Sequence, residues 1–182
     1  MKVNTSRFGV VEVSDTDVME FSDGLLGFEH LKHFFIVDPA DETLILWLQS
    51  SDLPEVAFPV LEPKLFKGDY KVRLSANELR TLRIDATNKK DTLVYCILTI
   101  PAEVSAMTAN LKAPIVINTA SRQARQVVLQ ENEYSVKYSM YKELLSVMMS
   151  AGAMNVKGVK EEPMAAALSL KHASSKVEVV AL

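Results

Sequence analysis

Leu44-Ile45-Leu46-Trp47-Leu48 is apolar at every position and runs straight into the polar pair Gln49-Ser50. Five residues suit a strand better than a helix, and a strand without polar alternation is one covered on both faces. Segments of the same kind recur on either side. Residues 2–5, 8–13, 18–21 and 34–37 are β-prone runs upstream; 56–61, 71–74, 92–100, 115–118 and 125–129 continue the pattern downstream. Pro39, Pro54, Pro63 and Pro101 stand at the ends of these runs, whereas Pro59 falls inside one and marks an edge or a bulge. Gly24 and Gly27 bracket an apolar turn, Gly24-Leu25-Leu26-Gly27-Phe28, which calls for positive φ or close backbone approach.

Helical signal is sparse before the last quarter of the chain. Ser75-Ala76-Asn77-Glu78 has the spacing of a capping box and opens one or two turns. Tyr134, Val136, Tyr138 and Met140 alternate like a half-buried strand; Tyr141, Leu144, Leu145 and Met148 then recur at helical spacing, with Gly152 as the stop. Many short strands without βαβ alternation give a sandwich or a small barrel. The expected fold is mainly β: a small antiparallel β-barrel domain over residues 1–145, then a C-terminal helix and an extra tail over 146–182. In the tail, Gly158, Lys160-Glu161-Glu162 and Pro163 read as a linker, 164–171 as a short helix and 177–180 as a strand. Its apolar content exceeds that of a solvating linker. It is expected to dock, either on its own barrel or on a neighbouring copy to make a dimer.

The 182 residues are 48% hydrophobic and 24% charged, enough apolar material for one core without staples. The single cysteine, Cys96, allows no internal disulfide and sits in the apolar run 93–98, where a buried, inert thiol is expected. The first residues lack the apolar core of a signal peptide, and no stretch approaches the ~20 apolar residues that span a bilayer, so a cytoplasmic protein away from membranes is expected. The net charge of −3 hides a strong asymmetry. Residues 1–62 hold twelve acidic and three basic side chains, a net of −9, and the remainder carries +6. An acidic segment of this kind repels phosphate backbones and attracts basic proteins. Direct nucleic-acid binding is disfavoured.

Chemistry finds little footing. His30 and His33 have a helical-turn spacing, but no further ligand follows and Phe34-Phe35 begins a strand. Asp15-Thr16-Asp17 opens like a calcium loop, yet Glu20 occupies the position that needs glycine. Phosphate-loop, dinucleotide, nucleophile-elbow and CxxC motifs are missing. The expectation is a binding module with no catalytic residues, no metal and no cofactor. The loop 50–58 is the favoured binding surface because Asp52 and Glu55 supply rim charge beside Phe58 as an aromatic anchor. Asn110 and Lys112 are secondary candidates. A barrel of this size could also hold one small molecule; that alternative needs polar groups among inward positions, and 44–48 and 93–98 are too uniformly apolar for it. A hydrolase would need a deep cleft.

Several segments together resemble the FliW family of bacterial flagellar assembly factors. They are Gly24-Leu25-Leu26-Gly27-Phe28-Glu29; Leu48-Gln49-Ser50-Ser51-Asp52 with Pro54 and Ala57-Phe58-Pro59-Val60; Asp69-Tyr70; and Asn110-Leu111-Lys112-Ala113-Pro114-Ile115-Val116-Ile117-Asn118. Residues 122–129 and Tyr134 add a matching end. Their order and spacing cover about residues 1–145, and the tail departs from the pattern. The resemblance implies a small antiparallel β-barrel without enzymatic activity. It also implies two partners, flagellin and CsrA, the dimeric RNA-binding repressor of flagellin translation. Free flagellin would occupy the protein, and its export would release the protein to antagonise CsrA. The acidic first third suits a basic partner of that kind.

Overall fold

The structure is a computed structural model describing residues 1–39, 44–131, 133–150 and 178–181. Its strands are β1 (Lys2–Thr5), β2 (Gly9–Glu12), β3 (Met19–Phe21), β4 (His33–Val37), β5 (Leu46–Ser50), β6 (Ala57–Leu61) and β7 (Lys71–Leu74). Helix α1 (Ala76–Thr81) separates these from β8 (Thr92–Thr99), β9 (Thr108–Ala109), β10 (Ile115–Asn118), β11 (Gln123–Gln126) and β12 (Tyr138–Ser139). Helix α2 (Tyr141–Ser150) and β13 (Glu178–Ala181) complete the described chain. The expected helix at 164–171 lies outside the described residues.

Seven strands close a barrel in the order β3-β4-β5-β6-β8-β10-β11, and β11 returns to β3. Every junction is antiparallel except that last one, where Gln123 pairs with Glu20 and Ala124 with Phe21 in parallel. The parallel seam is fixed locally. Arg122 adopts a left-handed φ of 59°, its carbonyl accepts from the Glu20 amide at 2.8 Å, and its guanidinium donates to the Asp15 carbonyl at 2.7 Å.

Both faces of the barrel wall are covered, which explains the uninterrupted apolar runs. Phe21, Phe34, Leu48, Val60, Tyr95, Ile115, Ile117 and Ala124 point inward, at least one from each barrel strand, and fill the interior. Such a packed interior leaves the ligand-holding alternative without its polar lining. Outside, the β1–β2 hairpin packs Val3, Phe8 and Val11 over Phe35, Val37 and Trp47. Trp47 receives the edge of Phe8 with ring centroids 5.8 Å apart, and the Arg7 guanidinium lies 3.7 Å from its ring centroid. On the opposite flank Val94, Cys96, Leu98 and Val116 are roofed by Tyr70, Val72, Leu74, Leu82, Met140, Leu144 and Val179. The capping box of α1 forms as the spacing predicts: Ser75 Oγ accepts from the Glu78 amide, and Glu78 Oε2 accepts from the Ser75 amide at 2.7 Å.

Pro59 occupies a position consistent with its chemistry. It pairs with Trp47 on the β5 side, while the β8 pairing begins only at Val60, so the absent N–H falls on a locally open edge. β5 begins two residues later than expected and runs through Gln49 and Ser50, and β11 covers 123–126 where 125–129 was expected.

Candidate functional site

β3, β5, β8 and β11 end where β4, β6 and β10 begin, so five connecting segments converge on one end of the barrel. They are residues 22–32, 51–56, 100–107 and 110–114, and the stretch that follows β11. This convergence brings Asp52, Glu55, Phe58, Asn110 and Lys112 to the same end, together with the glycine-bracketed turn.

That turn is built for shape. Gly24 has φ +72° and a side chain there would meet the Glu29 Cα and the Phe28 carbonyl at 2.7 Å; Gly27 has φ +84°. The Phe28 amide donates to the Leu25 carbonyl at 2.7 Å, which buries Leu25 as a plug in the barrel mouth and turns Leu26 outward, 60% exposed. Phe28 meets Phe58 edge-to-face with centroids 5.1 Å apart. Phe58 is therefore half-buried: its inner side belongs to the core and its outer side to the surface.

The 51–56 loop is held from within. Gln49 is fully buried, and its Nε2 donates to the carbonyls of Ser50, Pro54 and Val56 at 2.9–3.0 Å. Ser50 Oγ accepts from the amides of Asp52 and Leu53. Asp52 faces back into the protein and is no free rim charge. Its Oδ2 accepts from the Lys32 amide at 2.5 Å and the His33 amide at 2.9 Å, and its Oδ1 lies 2.8 Å from His33 Nδ1. Partial burial opposes ionisation of Asp52, but these donors prevail and hold the carboxyl below the usual carboxylate value. Glu55 is exposed as well.

Asn110 and Lys112 also have internal duties. Asn110 Oδ1 accepts from the Ala113 amide at 3.0 Å, closing an Asx-type turn, and Lys112 Nζ donates to the Glu131 carbonyl at 2.6 Å. Gln126 joins this segment to the glycine turn: its Oε1 accepts from the Leu26 amide and its Nε2 donates to the Ala113 carbonyl.

With so many polar groups committed inward, the outward chemistry of this end is apolar. Leu26, Leu53 (39%), Ile100 (41%), Val104 (49%) and Val128 (47%) are exposed on its segments. Leu26 and Val128 share a cleft with Asp23, Glu29, Glu78 and Arg125. The same segments carry exposed Glu55, Glu29 and Asp23, the last paired with Arg125 at 3.0 Å. Exposed aliphatic groups fringed by carboxylates suit a protein partner carrying apolar knobs and basic residues. The sequence does not single out these five aliphatic residues, although Leu53 lies within the favoured loop 50–58. A signal existed for Val128, since buried Val127 and Leu129 flank it in strict alternation.

Among the described residues no helix is long and apolar enough to cross a membrane. The profile of the family described as FliW protein matches residues 2–140, which include every segment of this end. A protein named flagellar assembly factor FliW from Bdellovibrio bacteriovorus is 41% identical over 157 residues, 86% of this chain and 89% of that one. Its namesake from Thermoanaerobacter pseudethanolicus is 37% identical over 152 residues, which span 83% of this chain and 100% of the relative. The crystal structure of a flagellar assembly factor FliW superimposes with a TM-score of 0.72 at 33% identity, covering 78% of this chain and 97% of that one. With fold and sequence in agreement, the chain belongs to the FliW family of flagellar assembly factors.

Proposed function

We propose that this chain is a non-catalytic cytoplasmic binding protein that uses the loop end of its barrel to engage flagellin and the translational repressor CsrA, antagonising CsrA when flagellin is exported. The observation that supports it most is that the segments of this end expose Leu26, Leu53, Ile100, Val104 and Val128 and also carry the exposed acids Asp23, Glu29 and Glu55. Apolar area supplies affinity in such a surface, and the acidic fringe steers a basic partner and fixes its orientation. Glu55 and the outer side of Phe58 belong to it directly. Asp52, Asn110 and Lys112 contribute by holding its loops.

The experiment is titration calorimetry of the purified protein against flagellin and against CsrA, at low and high salt. Both complexes are expected, the CsrA complex weakening with salt as the steering charges are screened. Leu53→Asp with Val128→Asp should abolish binding and change folding stability little, each by no more than about 0.5 kcal/mol as for surface substitutions. Absence of any complex at low salt, with all proteins folded, overturns the reading.

A further inference from the structure

β7 lies in the outer layer, apart from the barrel sheet, and among the described residues its one strand partner is β13. The two run parallel, Glu178 beside Lys71, Val179 beside Val72, Val180 beside Arg73 and Ala181 beside Leu74. Val179 is 2% exposed and enters the outer core with Val72 and Leu74. Lys71 Nζ holds Glu178 Oε2 at 2.9 Å. The edge of β7 thus reads an incoming strand in three ways: backbone ladder, an apolar slot for the second residue, and a lysine for an acidic first residue.

The resident strand is held weakly. Two paired four-residue strands are marginal alone. The Lys71–Glu178 pair has both side chains about half exposed, 51% and 53%, so it adds little. A single side chain, Val179, is fully inserted; Val180 is half-buried and the flanking Glu178 and Ala181 are exposed. Residues 151–177 separate β13 from α2, so β13 reaches β7 as a tethered segment. β7 falls inside the family match and β13 outside it, which ends at residue 140. The acceptor lies within the matched segment and the donor beyond it.

We propose that the edge of β7 is a binding site for an extended segment of a partner protein, with an acidic residue followed by β-branched apolar residues in parallel register, and that Glu178–Ala181 occupies it in cis as a tethered competitor. The site lies on the outer flank of the barrel, away from the loop end, and stands independently of the partners proposed there.

A fluorescent peptide of residues 176–182, Lys-Val-Glu-Val-Val-Ala-Leu, tests this by anisotropy against the full chain and its Val179→Asp variant. The resident strand belongs to the same chain and so competes with the peptide as an intramolecular ligand. The variant is therefore expected to bind the peptide at least ~10-fold more tightly than the wild type. A peptide carrying the same Val-to-Asp change should bind neither protein. A second full-length variant, with 178–181 replaced by Gly-Ser-Gly-Ser, should behave like Val179→Asp, and both should keep the wild-type circular dichroism spectrum. Equal peptide binding by wild type and variants overturns the proposal, as does equal binding of the altered peptide. A wild-type dimer that Val179→Asp dissolves overturns the assignment in cis.

Discussion

Partial burial disfavours the charged form of the Asp52 carboxyl, yet the Lys32 and His33 amides and the His33 ring supply donors that outweigh it. A carboxyl whose folded pKa is depressed stabilises the fold above its unfolded pKa, near 3.8, and the contribution vanishes as pH falls through the lower folded value. Asp52→Asn should therefore cost about 1 kcal/mol at neutral pH, less than a buried hydrogen bond to a charged group because solvent screens the site. The deficit should shrink below pH 4 as the wild-type carboxyl protonates. Urea midpoints of both proteins from pH 7 to pH 2.5 measure it, and a pH-independent difference contradicts the role. This duty was not legible in the sequence. Asp52 and Glu55 look alike there, both acidic and both near proline, and the groups that distinguish them, Lys32 and His33, lie twenty and nineteen residues upstream of Asp52. Only the antiparallel pairing of β4 with β5 brings them together.

In the connection between β3 and β4, two glycines with similar positive φ face different surroundings. Gly27 has open space where a side chain would go, whereas Gly24 is pressed against the Glu29 and Phe28 backbone at 2.7 Å. Gly27→Ala should cost only the left-handed penalty, about 1–2 kcal/mol. Gly24→Ala must add displacement of backbone to that penalty, and about 3 kcal/mol or more is expected. Thermal unfolding of the two variants gives the comparison, and equal losses would show that the turn yields. Sequence anticipated this turn because glycine advertises its backbone needs; other elements gave no such sign. β5 runs through Gln49 and Ser50 although they are polar, since the Gln49 amide and the Ser50 hydroxyl are spent on the next loop. The apolar trio Val127-Val128-Leu129 imitates a strand at the expected 125–129. Its amides do bond across, Val127 to the Pro114 carbonyl and Leu129 to the Lys112 carbonyl, but the regular ladder belongs to the polar residues before it. β9 is too short to carry a period at all, and of the alternating stretch 134–140 only Tyr138–Ser139 pairs, with Val136 exposed where the alternation would bury it. The convergence of loops on one barrel end, which makes the candidate site, follows from strand direction and is invisible to local pattern.

At the scale of the molecule, Cys96 reports on the barrel wall. It is fully buried beneath the outer layer, and burial pushes its thiol well above the usual range, with Tyr70 beside it donating its own hydroxyl to the Leu111 carbonyl at 2.6 Å. Thiolate is the reactive form, so a thiol reagent at pH 8 should label Cys96 only when the wall opens. The labelling rate should rise with urea in step with loss of the circular dichroism signal; fast labelling of the native protein would mean the outer layer lifts on its own. The wall itself is sealed by the parallel seam between β3 and β11, which joins Glu20 to Gln123 and Phe21 to Ala124. Contacts so distant in sequence fold slowly, because a long loop must be closed before they give any return. During vectorial synthesis β3 emerges early and waits through about a hundred further residues for its neighbour. A ribosome-bound chain arrested before residue 126 has cleared the exit tunnel should be sensitive to protease along its whole length, and resistance should arrive in one step once β11 emerges.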